Sequence, residues 1–206
     1  MSAVAARLPT GERRRIADRA WFDRPSAEVA PELLGKLLVR DSPQGVVAGR
    51  IVEVEAYQGP EDRAAHSSVG RTDRNAVMFG PAGHLYVYLV YGLHHCANVV
   101  CGPGDKPEAV LLRAAEITAG LELARSRRGA ADDARLASGP GNLGAAFGLS
   151  RADNGLDLTD GPVWLADGVA PASIERSPRI GVAYAGEWAA APLRFSIRDD
   201  PHRSRR

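Results

Sequence analysis

The chain has 206 residues, 45% of them hydrophobic and 25% charged, enough for one substantial core and without a composition shift that would mark a second domain. A net charge of +1 excludes a wholesale polycation that coats nucleic acid through bulk charge, so a partner of that kind has to be met by a local patch. Cys96 and Cys101 are too few for a disulfide framework or a four-thiolate zinc site, and no run reaches the roughly 18 apolar residues of a membrane span.

Residues 1–20, with Arg13-Arg14-Arg15, and residues 199–206 (DDPHRSRR) read as flexible ends around one domain over 21–198. A short helix is predicted around Ala27–Leu34, with Val29 and Leu33 at i, i+4 spacing and Gly35 to end it. Lys36–Arg40 reads as a strand. Val46–Tyr57 alternates as a second, placing Glu53, Glu55 and Tyr57 on one face and Val52, Val54 and Ala56 on the other. A polar loop to about Thr72 and a short helical piece to Met78-Phe79 follow. His84–Tyr91 is an aromatic strand, with Tyr86 and Tyr88 on one face and Tyr91 at the opposite parity. Cys96–Cys101 and Ala109–Ala115 are further strands, and Thr118–Arg128 and Ser138–Phe147 are helices. Strands near Val163–Ala166, Ile180–Tyr184 and Leu193–Arg198 finish the chain. Short turns, few helices and no regular βαβ alternation predict an α+β fold, a single compact domain around a curved, mainly antiparallel sheet with peripheral helices.

Chemistry concentrates near IVEVEAYQGPEDRAAH. A carboxylate such as Glu55, set where a strand meets a cleft and flanked by apolar residues, can act as a general base toward water; an ordinary strand-end salt bridge is the alternative. His66 suits an acid, a ligand or a hydrogen-bonded loop histidine. His94 and His95 are adjacent and would face opposite ways on a strand, so they do not make a metal site. Four of the five tyrosines, Tyr57, Tyr86, Tyr88 and Tyr91, lie on the two strands beside Glu55. Each buried phenol needs a hydrogen-bond partner, so a core would ordinarily use Phe or Leu for so much area, and a flat aromatic ligand is the functional alternative to packing.

The run IVEVEAYQGPEDRAAHS, then RN, MF, LYVYLVYG, Asn98, LLRA, SGP, VAYAGEW and PLRF, resembles the alkyladenine (3-methyladenine) DNA glycosylase family from roughly Phe22 to Arg198. The resemblance implies that Glu55 deprotonates the water attacking C1′ of a damaged nucleotide. It also implies that Tyr57 and Tyr88 stack on the flipped base, His66 contacts its edge, and Asn98 crowds a guanine 2-amino group. Tyr91 would fill the gap left in the duplex, and Arg113 would support the nucleotide backbone. Family members commonly carry lysine where this chain has Asn142. The implied partner is double-stranded DNA containing damaged purines, with no metal, cofactor or membrane, for a monomeric cytoplasmic protein. An electron-rich tyrosine cage would favour a cationic base, and with the two lysines of the chain, Lys36 and Lys106, both outside the motif a monofunctional enzyme is expected. A hydrolase of free nucleosides and a noncatalytic binder of damaged nucleic acid are the competing readings.

Overall fold

The computed structural model describes residues 14–129 and 132–204. Its framework is an eight-stranded sheet in which every named pairing is antiparallel. The strands are β1 (Leu37–Ser42), β2 (Gly45–Tyr57), β3 (Leu85–Val90), β4 (His94–Cys101), β5 (Glu108–Ala119), β6 (Val163–Ala166), β7 (Ile174–Ser177) and β8 (Arg194–Ile197). Their order is β3-β4-β5-β2-β1-β6, with β8 pairing to both β2 and β7. The helices are α1 (Ser26–Leu33), α2 (Leu121–Arg128) and α3 (Pro140–Ala146), with short 3₁₀ turns between elements. The α+β class expected from the sequence is the observed one.

The core forms because alternation on the strands meets the apolar stripes of the helices. Val54 and Ala56 of β2, Val110 and Leu112 of β5, and Leu85 and Val87 of β3 pack in one cluster with Val29, Ala30 and Leu33 of α1 and Leu143 and Ala146 of α3. The other face of the same strands carries Glu53, Glu55 and Tyr57, Ala109, Leu111 and Arg113, and Tyr86 and Tyr88. Two register shifts shape that second face. Between Ile51 and Glu53, β2 advances two residues against one on β5; between Glu53 and Val54, β5 advances two, from Ala114 to Leu112. Val52 and Arg113 are thus the extra residues of two facing bulges, which bend the strands and re-aim their side chains. Val52 is buried outside the main core cluster, a departure from the simple alternation.

Several expectations are corrected. The helix predicted over Thr118–Arg128 starts at Leu121, because β5 runs on to Ala119 and Gly120 turns the chain at φ +72, where a Cβ would lie 2.2 Å from the Val46 carbonyl oxygen. The strand predicted at Ile180–Tyr184 is absent. Ile180 gives its N–H to the Glu55 carboxylate instead of to a ladder, and residues 183–189 form a 3₁₀ segment. The edge strand there is β7, earlier in the chain and missed in the polar IERS.

The ends, read as flexible, are bonded to the domain over their described residues. Ile16 donates to the Leu165 carbonyl at 2.9 Å, and Arg19 pairs with Asp157 at 2.6 Å. In the expected tail, Asp200 pairs with Arg50 at 2.7 Å, Arg203 with Glu175 at 2.7 Å, and Ser204 donates to Glu53. Arg13 and residues 205–206 lie outside the described residues.

Candidate active site

Along β2, the parity of Glu53, Glu55 and Tyr57 aims all three side chains away from the core, and both glutamates are fully buried. Burying two carboxylates is costly unless each is hydrogen-bonded and paired. Arg113 supplies the shared cation, with Nε 2.9 Å from Glu53 Oε1 and Nη1 3.3 Å from Glu55 Oε2. Burial opposes the charge on Arg113, but Glu55 and Glu53 outweigh it and hold its pKa above the usual arginine value. Glu55 Oε1 accepts the Ile180 N–H at 2.8 Å, and Oε2 accepts the Tyr57 hydroxyl at 3.0 Å. Burial, then the Glu55 charge, push the Tyr57 phenol well above its ordinary pKa, so it remains a donor. The surroundings of Glu55 are therefore polar and fully engaged, unlike the apolar flanks the alternation suggests.

Above this cluster opens a cavity of about 310 Å³. Tyr57, His66, Tyr88, Tyr91, Asn98 and Arg113, drawn from β2, the following loop, β3, β4 and β5, all line it. Glu55 lies behind that lining: Tyr57, Arg113 and Ile180, which hold its carboxylate, form part of the wall. His66 stands 4.5 Å from Tyr88, centroid to centroid, with its ring inclined by 68°. Its Nδ1 is 2.9 Å from the Tyr86 hydroxyl. Burial, then the Arg74 charge, lower the His66 pKa, which favours a neutral imidazole. Burial also raises the two tyrosines beside it, Tyr86 to about 12. Asn98 donates to the Tyr86 carbonyl at 3.1 Å, so its amide is fixed on the wall.

The loop that carries His66 is built around two buried side chains. Asp62 accepts N–H groups from Ala64 and Gln58, and it pairs with fully buried Arg179, Nη2 to Oδ1 at 2.8 Å. Asn75 donates to the carbonyls of His66 and Gly70 and accepts from the Thr72 N–H. Tyr91 is the opposite kind of residue. It occupies the β3–β4 turn at φ +52, unusual for a non-glycine residue, and 90% of its surface is exposed.

Arg113 is buried and faces carboxylates on one side, but it also lines a second cavity of about 430 Å³ with Arg135, Ser138, Asn142 and Ser204. Asn142 is turned inward there, donating to the Ser138 carbonyl at 2.7 Å. Among the described residues no group of three or more His, Cys, Asp or Glu is placed to hold a metal ion, and no helix is long and apolar enough to cross a membrane. The sequence reading set Glu53 on the face of Glu55 and Tyr86 among the clustered tyrosines without giving either a separate role, and it missed Arg179 and the Ile180 N–H, whose partners are long-range.

Residues 20–201 match the methylpurine-DNA glycosylase family. A protein of Streptomyces avermitilis is 49% identical over 189 residues, covering 89% of this chain and 88% of its own length. One of Methanocella arvoryzae is 49% identical over 193 residues, covering 93% and 96%. Both bear the name "Putative 3-methyladenine DNA glycosylase". A match across nearly the whole chain, together with a tyrosine-lined cavity set over a buried glutamate, shows that the chain belongs to the methylpurine-DNA glycosylase family.

Proposed function

We propose that this chain removes alkylated purines from duplex DNA by hydrolysing the N-glycosidic bond, with Glu55 as the base that activates water. The observation that carries the reading is the arrangement at the cavity floor, where Tyr57, Ile180 and Arg113 both line the cavity and grip Glu55. The damaged nucleotide leaves the stack, its base enters between Tyr57, His66 and Tyr88, and C1′ comes to rest near the Arg113 side. Glu55 takes the proton of the attacking water as its oxygen bonds to C1′, and the C1′–N bond breaks with its electrons passing to the purine. Alkylation at N3 or N7 makes the purine cationic, so it departs without acid help. Extrusion costs a few kcal/mol, less for a weakly paired lesion.

The tyrosine cage contributes less to the binding of a cation than the sequence suggests. Arg179 stands 4.7 Å from the Tyr57 ring centroid and Arg74 stands 5.3 Å from that of Tyr88, and neither arginine lines the cavity. Each ring already interacts with a guanidinium, so the usual cation–π gain of about 0.5–2 kcal/mol is reduced for a cationic base. Selectivity for alkylated purines then rests mainly on leaving-group ability. Neutral deaminated purines would fit the same space and react more slowly.

The test is release of 7-methylguanine from a duplex oligonucleotide, run beside the free nucleoside and beside borohydride trapping. The reading expects an abasic site in duplex DNA, slow or no attack on the nucleoside, an unbroken strand, no trapped covalent adduct, and full activity after exhaustive chelation. Equal rates on nucleoside and duplex would support a nucleoside hydrolase instead, and lesion binding without release would support a binding protein.

A further inference from the structure

Glu53 is buried as completely as Glu55, lies two residues away on the same face of β2, and has no part in the chemistry proposed above. Its Oε1 accepts from Arg113 Nε at 2.9 Å, from Arg194 Nη1 at 3.3 Å and from the Ser204 hydroxyl at 2.9 Å; its Oε2 accepts the Ser204 N–H at 2.6 Å. The same Ser204 hydroxyl accepts from Arg113 Nη2 at 3.2 Å. Ser204 thus closes a ring with Glu53 and Arg113, and the remaining nitrogen of that guanidinium, Nη1, is the one on Glu55. A planar guanidinium with three anchored nitrogens has one orientation available, whereas one held only at Nε and Nη1 can swing.

Ser204 is brought there by a docked segment. Asp200 is tied to Arg50, Arg203 to Glu175, and the Arg203 carbonyl accepts the Ser138 hydroxyl at 2.8 Å. Burial pushes the Asp200 carboxyl up, but bonds from the His202 N–H and Arg50 outweigh it and leave it below the ordinary value, so this anchor is an ion pair at neutral pH. Ser204 lies beyond residue 201, where the family match ends, so nothing in that match assigns it a role.

We infer that Ser204 is a positioning residue for hydrolysis: through Arg113 it fixes where the Glu55 carboxylate points. This rests on Glu55 being the base. Ser204→Ala removes the hydroxyl and leaves the backbone bond to Glu53, so the fold persists while Arg113 loses its third anchor. Misplacement of a catalytic group by a fraction of an ångström slows chemistry without loosening the grip on substrate. The measurement is single-turnover excision from a lesion-bearing duplex at saturating enzyme, with lesion-duplex affinity measured separately in a Glu55→Gln background.

The expected result is a fall in the single-turnover rate of about tenfold for Ser204→Ala, with affinity within twofold and melting temperature little changed. Ser204→Thr keeps a hydroxyl and returns the rate to within about threefold of the unsubstituted chain. A Ser204→Ala rate within twofold of the unsubstituted chain, a loss that Ser204→Thr does not rescue, or a loss tracked by weaker affinity or lower melting temperature overturns the inference. If Glu55→Gln by itself excises normally, the failure lies with the reading of Glu55; if Glu55→Gln is inactive and Ser204→Ala is normal, only the role of Ser204 falls.

Discussion

The two faces of β2 and β5 both hold fully buried residues and are opposite in chemistry. On one face Val54, Ala56, Val110 and Leu112 are fully buried among hydrocarbon; on the other Glu53 and Glu55 are fully buried around Arg113. The first arrangement stabilises the fold, at roughly 25 cal/mol per Å² of apolar surface removed from water. The second returns little or nothing in stability, since desolvating three charges consumes most of what their attraction supplies. Burial alone therefore does not identify what a residue is for. Under the proposed function the charged cluster is kept for chemistry where an apolar one would hold the fold equally well, and the bulges at Val52 and Arg113 are the local irregularity between the two faces.

Adjacent residues of β5 test that contrast. Arg113→Ala strands two buried carboxylates and should cost about 3–5 kcal/mol in denaturant unfolding, together with loss of excision. Leu112→Ala opens a cavity in the apolar face and should cost about 2–5 kcal/mol, while excision per folded molecule stays near normal. If Leu112→Ala removed excision from fully folded protein, the division of labour between the faces would be wrong.

Smaller effects probe the cavity itself. Tyr91→Ser should weaken binding to and excision from duplex DNA by roughly 1–3 kcal/mol if the ring replaces stacking lost on extrusion. Its melting temperature should hardly move, because the ring packs against little. The deficit should shrink on a lesion in an unpaired bulge. Equal deficits on paired and bulged substrates, with a large fall in melting temperature, would make Tyr91 a packing residue. The smallest effect is the titration of His66. With its pKa lowered by burial, the folded chain binds fewer protons than the unfolded one between the folded value and about 6.5. Its contribution to stability is complete above about pH 6.5 and is lost as pH falls through the folded value. The His66 ring resonances should shift with a midpoint below 6.5; a midpoint above it would mean that a charged imidazole faces the base.

Much of this was legible in the sequence. Alternation placed β2 and β3 within a residue or so of their observed ends and gave the common direction of Glu53, Glu55 and Tyr57. Tyr57, His66, Tyr88, Tyr91, Asn98 and Arg113, distant in sequence, meet at one cavity. What escaped depends on partners far along the chain. Residues 180–184 look like a strand because their apolar content is right, yet the Ile180 N–H is taken by a carboxylate 125 residues earlier. DDPHRSRR reads as a flexible tail because its charges have no partners nearby in sequence; Arg50, 150 residues away, and Glu53, 151 away, neutralise Asp200 and hold Ser204. Bulges leave no trace in a period-two pattern, so the register shifts at Val52 and Arg113 could not be read.

If the buried charged face exists for chemistry, Glu55→Gln should all but abolish excision while sparing the fold. The amide keeps the shape of Glu55 and can still accept from the Ile180 N–H, but it cannot take a proton from water. Excision from a lesion-bearing duplex should fall by about 10²–10⁴-fold under single-turnover conditions. The same protein should bind the lesion duplex normally and melt within about 5 °C of the unsubstituted chain, a change of roughly 1–2.5 kcal/mol. Excision within tenfold of normal, or a loss that merely tracks unfolding, would contradict the claim and return Glu55 to the role of a structural ion-pair partner.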